Sequence, residues 1–262
     1  MEHLVALVTG AARGIGAATV RRLSAEGYAV LALDACAGSG HGLPGVGYDL
    51  ATRDDLTAVA AGEERVVPSV ADVRDPAALD RAAQEAVDRW GRLDAVVAAA
   101  AVLAGGTPLW ETPAEHLETL WQVDVLGVHH LAVATVPRML GGPDPSRGRF
   151  VALASAAGGR GLFHLAAYTA AKHAVVGLVR GLAADLVGTG VTAVAVSPGA
   201  TDTAMLAATA DLYGVTAADL AGSQLLAETL DPDEVAATVA FCCSREGRVL
   251  NGSVVAADGG FA

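Results

Sequence analysis

Tyr168 and Lys172 stand four residues apart in "YTAAKHAVVG" (168 to 177), and Lys172 is the only lysine among seventeen basic side chains. At helical spacing, in a helix expected to run to about Val187, they share one face, a single turn apart. A phenol that exchanges protons near neutrality needs its pKa drawn down from about 10, and a nearby ammonium does this by favouring the ionised form. A compact ammonium with three rotatable donors serves this better than the planar fork of arginine. Thirteen residues before Tyr168 the run "FVALAS" ends on Ser155, whose hydroxyl could polarise a substrate oxygen. Together these residues read as a hydride-transfer site, although Tyr-x-x-x-Lys alone is common in helices.

Such a site needs a dinucleotide, and "TGAARGIG" supplies its signature. Gly10, Gly14 and Gly16, with Arg13 and Ile15 among them, follow an apolar run and open a helix. Glycine lets a diphosphate approach the N–H groups at a helix N-terminus, where the dipole favours negative charge. The next apolar run ends in Asp34, eighteen residues beyond Gly16. A carboxylate there accepts both hydroxyls of an adenosine ribose and repels the extra phosphate of NADP. Ala35 and Cys36 follow it, so only Arg13 speaks for NADP, and NAD is the expected cofactor.

The elements that must position these residues alternate along the chain. Apolar runs at 4–9, 28–34, 65–73, 93–101, 148–155, 191–199 and 252–260 are separated by alanine-rich helical stretches. Near-continuous Val, Ala and Leu imply strands buried on both faces, as in a parallel sheet covered by helices. The expected fold is a doubly wound, seven-stranded parallel α/β (Rossmann) sheet, a single domain over 1–262, with its ligands at the carboxyl ends of the strands. Asp75 before Pro76, and Asp231 before Pro232, read as helix caps, with Asp233 and Glu234 complementing the positive end of the second.

Composition narrows the function. The 262 residues carry a net charge of −12, which argues against nucleic acid. No apolar run approaches the roughly 20 residues of a membrane helix, and "MEHLVALVTG" lacks the positive start of a secretory signal. A cytoplasmic location is expected. Cys36, Cys242 and Cys243 have neither disulfide nor zinc spacing and read as small buried hydrophobes. Adjacent His129 and His130 diverge on a helix, so no metal site is expected.

Thr9 to Gly16, Asp72, Ser155, Tyr168 to Lys172, "SPGATDT" (197 to 203) and "GSVVAADGG" (252 to 260) together resemble the short-chain dehydrogenase/reductase family over essentially the whole chain. The resemblance implies Tyr168 as general acid/base, Ser155 holding the substrate oxygen, and Lys172 also binding the nicotinamide ribose. It places Asp72 and Val73 beside the adenine, Ala99 and Ala100 along the cofactor, and Pro198, Gly199, Thr201 and Thr203 near the carboxamide and phosphates. It also implies a homotetramer, with helices around 111–138 and 168–187 at its interfaces.

The chain departs from that family in three places. Ala98 to Ala101 replace Asn-Asn-Ala-Gly, which removes side-chain hydrogen bonds and adds a methyl at Ala101. Asp124 occupies the position of an asparagine that completes a proton relay; an acid there holds a relay water or shifts neighbouring pKa values. The segment at about 35–56 is about a dozen residues longer than the family spacing and reads as a loop. Its "YDLATRDDL" is similar to an insertion of the carveol-dehydrogenase-like, mycofactocin-associated subgroup, which implies NAD held without ready exchange and an external electron acceptor. At about 203–230, where the family has a substrate lid, this chain carries Met205, Leu206, Leu212, Tyr213, Leu220, Leu225 and Leu226. Facing Leu162, Phe163 and Trp110, an apolar lid would select an apolar alcohol or ketone; the same residues would equally pack a helical pair or a subunit contact. The expected function is NAD-dependent oxidation of an apolar secondary alcohol, or reduction of its ketone. The alternative, from the four alanines and Asp124, is a structural or regulatory nucleotide-binding protein without turnover.

Overall fold

Each of the seven apolar runs forms a strand in the computed structural model, which describes residues 3–261. The strands are β1 (Val5–Thr9), β2 (Ala29–Asp34), β3 (Val66–Val70), β4 (Ala95–Ala98), β5 (Arg149–Leu153), β6 (Thr192–Pro198) and β7 (Val254–Ala257). All pairings are parallel, in the order β3-β2-β1-β4-β5-β6-β7. The helices are α1 (Gly14–Ala25), α2 (Arg53–Ala60), α3 (Pro76–Trp90), α4 (Ala114–Leu120), α5 (Leu126–Leu140), α6 (Ala166–Asp185), α7 (Ala204–Tyr213), α8 (Ala217–Ala221) and α9 (Pro232–Cys243).

Alternation along the strands divides the core into two layers. Val5, Leu7, Leu31, Leu33 and Val96 pack with Leu79 and Ala83 of α3, Leu131 of α5 and Val175 of α6. Ala6, Val8, Val30, Ala32 and Val97 pack on the other face with Val20 and Leu23 of α1, Leu56 of α2 and Val239 of α9. Each fully buried aliphatic side chain contributes roughly 1.5–3 kcal/mol, so both helix layers are fixed against the sheet. This places every strand-to-helix turn at one edge.

The caps form as the sequence implies. Asp75 accepts a hydrogen bond from Ala77 N at 2.9 Å, with Pro76 opening α3. Asp231 accepts from Asp233 N at 2.8 Å, and Glu234 reaches back to Asp231 N to close a capping box.

Three expectations are corrected. The segment expected as a loop at about 35–56 is loop only as far as Thr52, because Thr52 and Asp55 form a capping box that starts α2. The helical stretch around 111–138 is not one α-helix: a π turn at Trp121–Val125 joins α4 to α5. Cys36 is only half-buried, with φ of 51°, whereas Cys242 and Cys243 are buried. Among the described residues no helix is long and apolar enough to cross a membrane.

Candidate active site

Strand order reverses between β1 and β4, and a cavity of about 1140 Å³ opens there at the carboxyl ends of the strands. All the residues singled out from the sequence for catalysis or cofactor binding line it, except Asp124.

Gly10, Arg13, Gly14, Ile15, Gly16 and Asp34 wall one arm. Gly10 has φ of +65°, and a side chain there would meet the Ala100 backbone at 2.6 Å; at Gly16 it would overlap the Gly10 carbonyl. Helix α1 starts after Arg13 with no side-chain cap, so donors of its first turn are left for a ligand. The Asp34 carboxylate is fixed by Ala12 N at 3.2 Å on one oxygen and Cys36 N at 3.0 Å on the other. Its remaining lone pairs are available to hydroxyl donors. Arg13 is engaged by the inserted segment: its guanidinium donates to the Asp49 carbonyl at 2.7 Å and lies 5.9 Å from the centre of the Tyr48 ring.

Further along, Asp72 pairs with Arg74 at 2.6 Å. Burial pushes the Asp72 carboxyl up, but the hydrogen bonds and charge of Arg74 hold it below the usual carboxylate range. Val73 adjoins it, and its carbonyl lies 3.0 Å from His130 Nδ1. Ala99 N and Ala100 N donate to the Thr9 hydroxyl at 3.2 and 3.4 Å, so Thr9 steadies the turn whose own side chains are methyls. Beyond β6, Pro198, Gly199, Thr201 and Thr203 continue the wall. Thr203 caps α7 through Leu206 N at 3.3 Å.

At the other arm Ser155, Tyr168 and Lys172 converge from β5 and α6. Ser155 caps a short 3₁₀ turn, accepting from Ala157 N at 3.2 Å. Tyr168 lies in the first turn of α6 and Lys172 one turn later, 6% and 2% exposed. Lys172 Nζ donates to the Leu153 carbonyl at 3.3 Å and lies 5.5 Å from the Tyr168 ring centre. The Tyr168 hydroxyl sits 3.8 Å from Met205 Sδ. Asp124 stands behind them, outside the cavity lining. Its Oδ1 accepts from Val102 N at 2.9 Å, and its Oδ2 is 3.2 Å from Lys172 Nζ, an ion pair rather than an aligned hydrogen bond.

The balance on Tyr168 corrects the expectation from spacing. Burial is the largest influence and lifts the phenol above its ordinary value; Lys172 and Ser155 pull it down, and Asp124 pushes it up. Burial opposes the charge on Lys172, but Asp124 and Tyr168 outweigh it and hold the ammonium protonated. Burial also lifts Asp124, against the pull of Lys172 and the Val102 N–H.

Two covers close the cavity. From the inserted segment, Tyr48 accepts from Leu103 N at 3.0 Å, and burial pushes its phenol well up. His41 clips the segment internally, 3.1 Å from the Tyr48 carbonyl and 3.1 Å from Leu43 N. Tyr48 opens the "YDLATRDDL" stretch singled out in the sequence, but it was not named there as a site residue. The second cover is α7 and α8, which bring Met205, Leu206, Tyr213 and Leu220 toward Leu162 and Phe163. The Tyr213 hydroxyl donates to the Phe163 carbonyl. Trp110, expected here, is 84% exposed and does not line the cavity. Leu212 also lies outside it, as do Leu225 and Leu226, whose backbones are held by Gly260 and Gly259 at 3.0 Å each.

Comparison with known proteins agrees with this arrangement. A family model described as enoyl-(acyl carrier protein) reductase matches residues 10–262. An uncharacterized oxidoreductase of Mycobacterium tuberculosis is 34% identical over 100% of this chain and 97% of its own. A (-)-trans-carveol dehydrogenase of Rhodococcus erythropolis is 36% identical over 71% of this chain and 66% of its own. The crystal structure of carveol dehydrogenase from Mycobacterium avium in complex with NAD has a TM-score of 0.90 and 30% identity, covering 98% of this chain and 96% of that one. A doubly wound sheet with a glycine loop and Ser155, Tyr168 and Lys172 at one cavity, matched along its length by such relatives, belongs to the short-chain dehydrogenase/reductase family.

Proposed function

We propose that this protein uses NAD to oxidise an apolar secondary alcohol, or to reduce the corresponding ketone, and that it holds the cofactor tightly. The observation that carries the reading is the convergence of Ser155, Tyr168 and Lys172 on the cavity that the glycine loop and Asp34 also wall. The uncapped start of α1 offers donors to a diphosphate, and Asp34 offers acceptors to a ribose. Arg13, the one residue that spoke for NADP, is committed to Asp49 and Tyr48. Carveol dehydrogenase from M. avium, of closely similar fold, was crystallised with NAD.

When bound, NAD supplies the two-electron acceptor for a hydride from the carbinol carbon. Ser155 donates a hydrogen bond to the substrate oxygen, and the Tyr168 phenolate takes the hydroxyl proton. In reduction the Tyr168 phenol returns that proton to the carbonyl oxygen. Lys172 stabilises the phenolate and would offer its remaining donors to the nicotinamide ribose when the cofactor is bound. Leu162, Phe163, Met205 and Leu220 exclude water and favour an apolar substrate.

The inserted segment supports tight retention, because Tyr48 and Arg13 fasten it across the adenosine arm. A held cofactor requires an external electron acceptor, in keeping with the resemblance of residues 48–56 to the mycofactocin-associated subgroup. Exposed Leu117, Trp121 and Val133 on the α4–α5 rod offer apolar surface for a homotetramer. The test is to denature the purified protein and identify released nucleotide by mass spectrometry. We expect near-stoichiometric NAD; NADP would overturn the cofactor assignment, and absence of nucleotide would overturn retention.

A further inference from the structure

The geometry points to Asp124 as a positioning residue that offsets the charge of Lys172 and thereby sets the pH at which Tyr168 exchanges its proton. The inference rests on the proton-transfer reading of Tyr168.

Three observations carry it. The chain's only lysine lies in the site, and a fully enclosed carboxylate stands 3.2 Å from its ammonium. Opposite charges at that distance, shielded from water, interact far more strongly than on the surface. The second oxygen of Asp124 is bound by Val102 N, so the carboxylate is held in place. Finally, the π turn at Trp121–Val125 interrupts the α4–α5 rod at the turn that carries Asp124. Such turns re-aim a side chain at the expense of regular hydrogen bonding, often at functional sites.

The surrounding groups come from several elements. Tyr168 and Lys172 face Asp124 from α6, Ser155 and the Leu153 carbonyl lie at the end of β5, and the Val102 N–H comes from the β4–α4 connection. The Tyr48 phenol approaches from the inserted segment, where Asp124 and Tyr168 both act on it and Arg13 opposes them. Lys172 is the cation acting on both Asp124 and Tyr168. With Asp124 ionised, the pair presents little net charge to the phenol, which stays protonated to higher pH than it would beside an unopposed ammonium. Ketone reduction, which needs the phenol, then extends through neutrality. Alcohol oxidation, which needs the phenolate, rises only toward alkaline pH.

Asp124→Asn keeps the shape and deletes the charge. In this variant the acid limb of the oxidation profile and the alkaline limb of the reduction profile both move down by about one pH unit. At a fixed pH on the oxidation limb this is about tenfold more turnover. An ultraviolet titration of phenolate, read as the difference from Tyr168→Phe in the same background, moves by the same amount and needs no substrate. Asp124→Ala provides a second neutral variant if the first folds poorly. Unmoved or upward-shifted limbs and phenolate titration would overturn the inference. A downward phenolate shift in a protein that turns over no alcohol or ketone would support it and defeat the redox reading instead.

Discussion

Below the cavity, Tyr168 and Lys172 are held within the 20-residue helix α6 and Asp124 within the π turn, while Ser155 sits two residues beyond β5 as the cap of a 3₁₀ turn. Above it, residues 35–52 contain neither helix nor strand; Val46 and Ala51 anchor them in the core, Gly38 pairs with Leu50 and Ala51 through backbone bonds, and side-chain contacts add Tyr48 to Leu103 N, Arg13 to Asp49, and His41 to Leu43 and Tyr48. The floor fixes reacting groups against a core that cannot give. The roof has few buried anchors, and its side-chain hydrogen bonds are each worth about 1 kcal/mol. Rate should therefore be governed by the floor and cofactor residence by the roof.

The largest effect should come from breaking the floor. Lys172→Met leaves Asp124 as a buried charge without its partner, which costs roughly 3–5 kcal/mol. We expect a correspondingly lower urea midpoint and turnover reduced to background. Gly16→Ala attacks the glycine loop: a methyl there overlaps the Gly10 carbonyl. The overpacking costs roughly 1–3 kcal/mol, and the purified variant should carry little nucleotide.

Tyr48→Phe sharpens the contrast, because it removes only the acceptor for Leu103 N. A loss of about 1 kcal/mol corresponds to roughly fivefold faster nucleotide release. Exchange against labelled NAD would measure it, while the rate of the chemical step should be unchanged. A slower chemical step with unchanged release would reverse the division between floor and roof. Trp110→Ala should do least: the side chain is 84% exposed and outside the cavity. We expect stability within about 0.5 kcal/mol of wild type and an unchanged KM.

The same contrast separates what could be read in advance from what could not. The strands, glycine loop and caps at Asp75 and Asp231 were legible because each depends on a local pattern: buried apolar runs, glycine where no side chain fits, Asp-Pro at a helix start. Tyr168 and Lys172 were legible as neighbours because helical spacing alone brings them together. The direction of the shift on Tyr168 was not, since spacing reports the ammonium but not the burial that outweighs it. Asp124 was placed near these residues by the family resemblance alone; the π turn that carries it and its ion pair with Lys172 had no local pattern to announce them. Tyr48 was hidden for a related reason: its partner, Leu103, is 55 residues away. Trp110 was misplaced because hydrophobicity says that a residue favours burial, not which surface covers it.

The central claim is that the Tyr168 oxygen carries the substrate proton at a site already holding NAD. Its most direct test is reduction of the held cofactor by a panel of apolar secondary alcohols, followed in a single turnover for wild type and Tyr168→Phe with nucleotide content measured in both. We expect equal nucleotide content and a rate lower by roughly a hundred- to ten-thousand-fold in the variant. Equal rates in the two proteins would contradict the account.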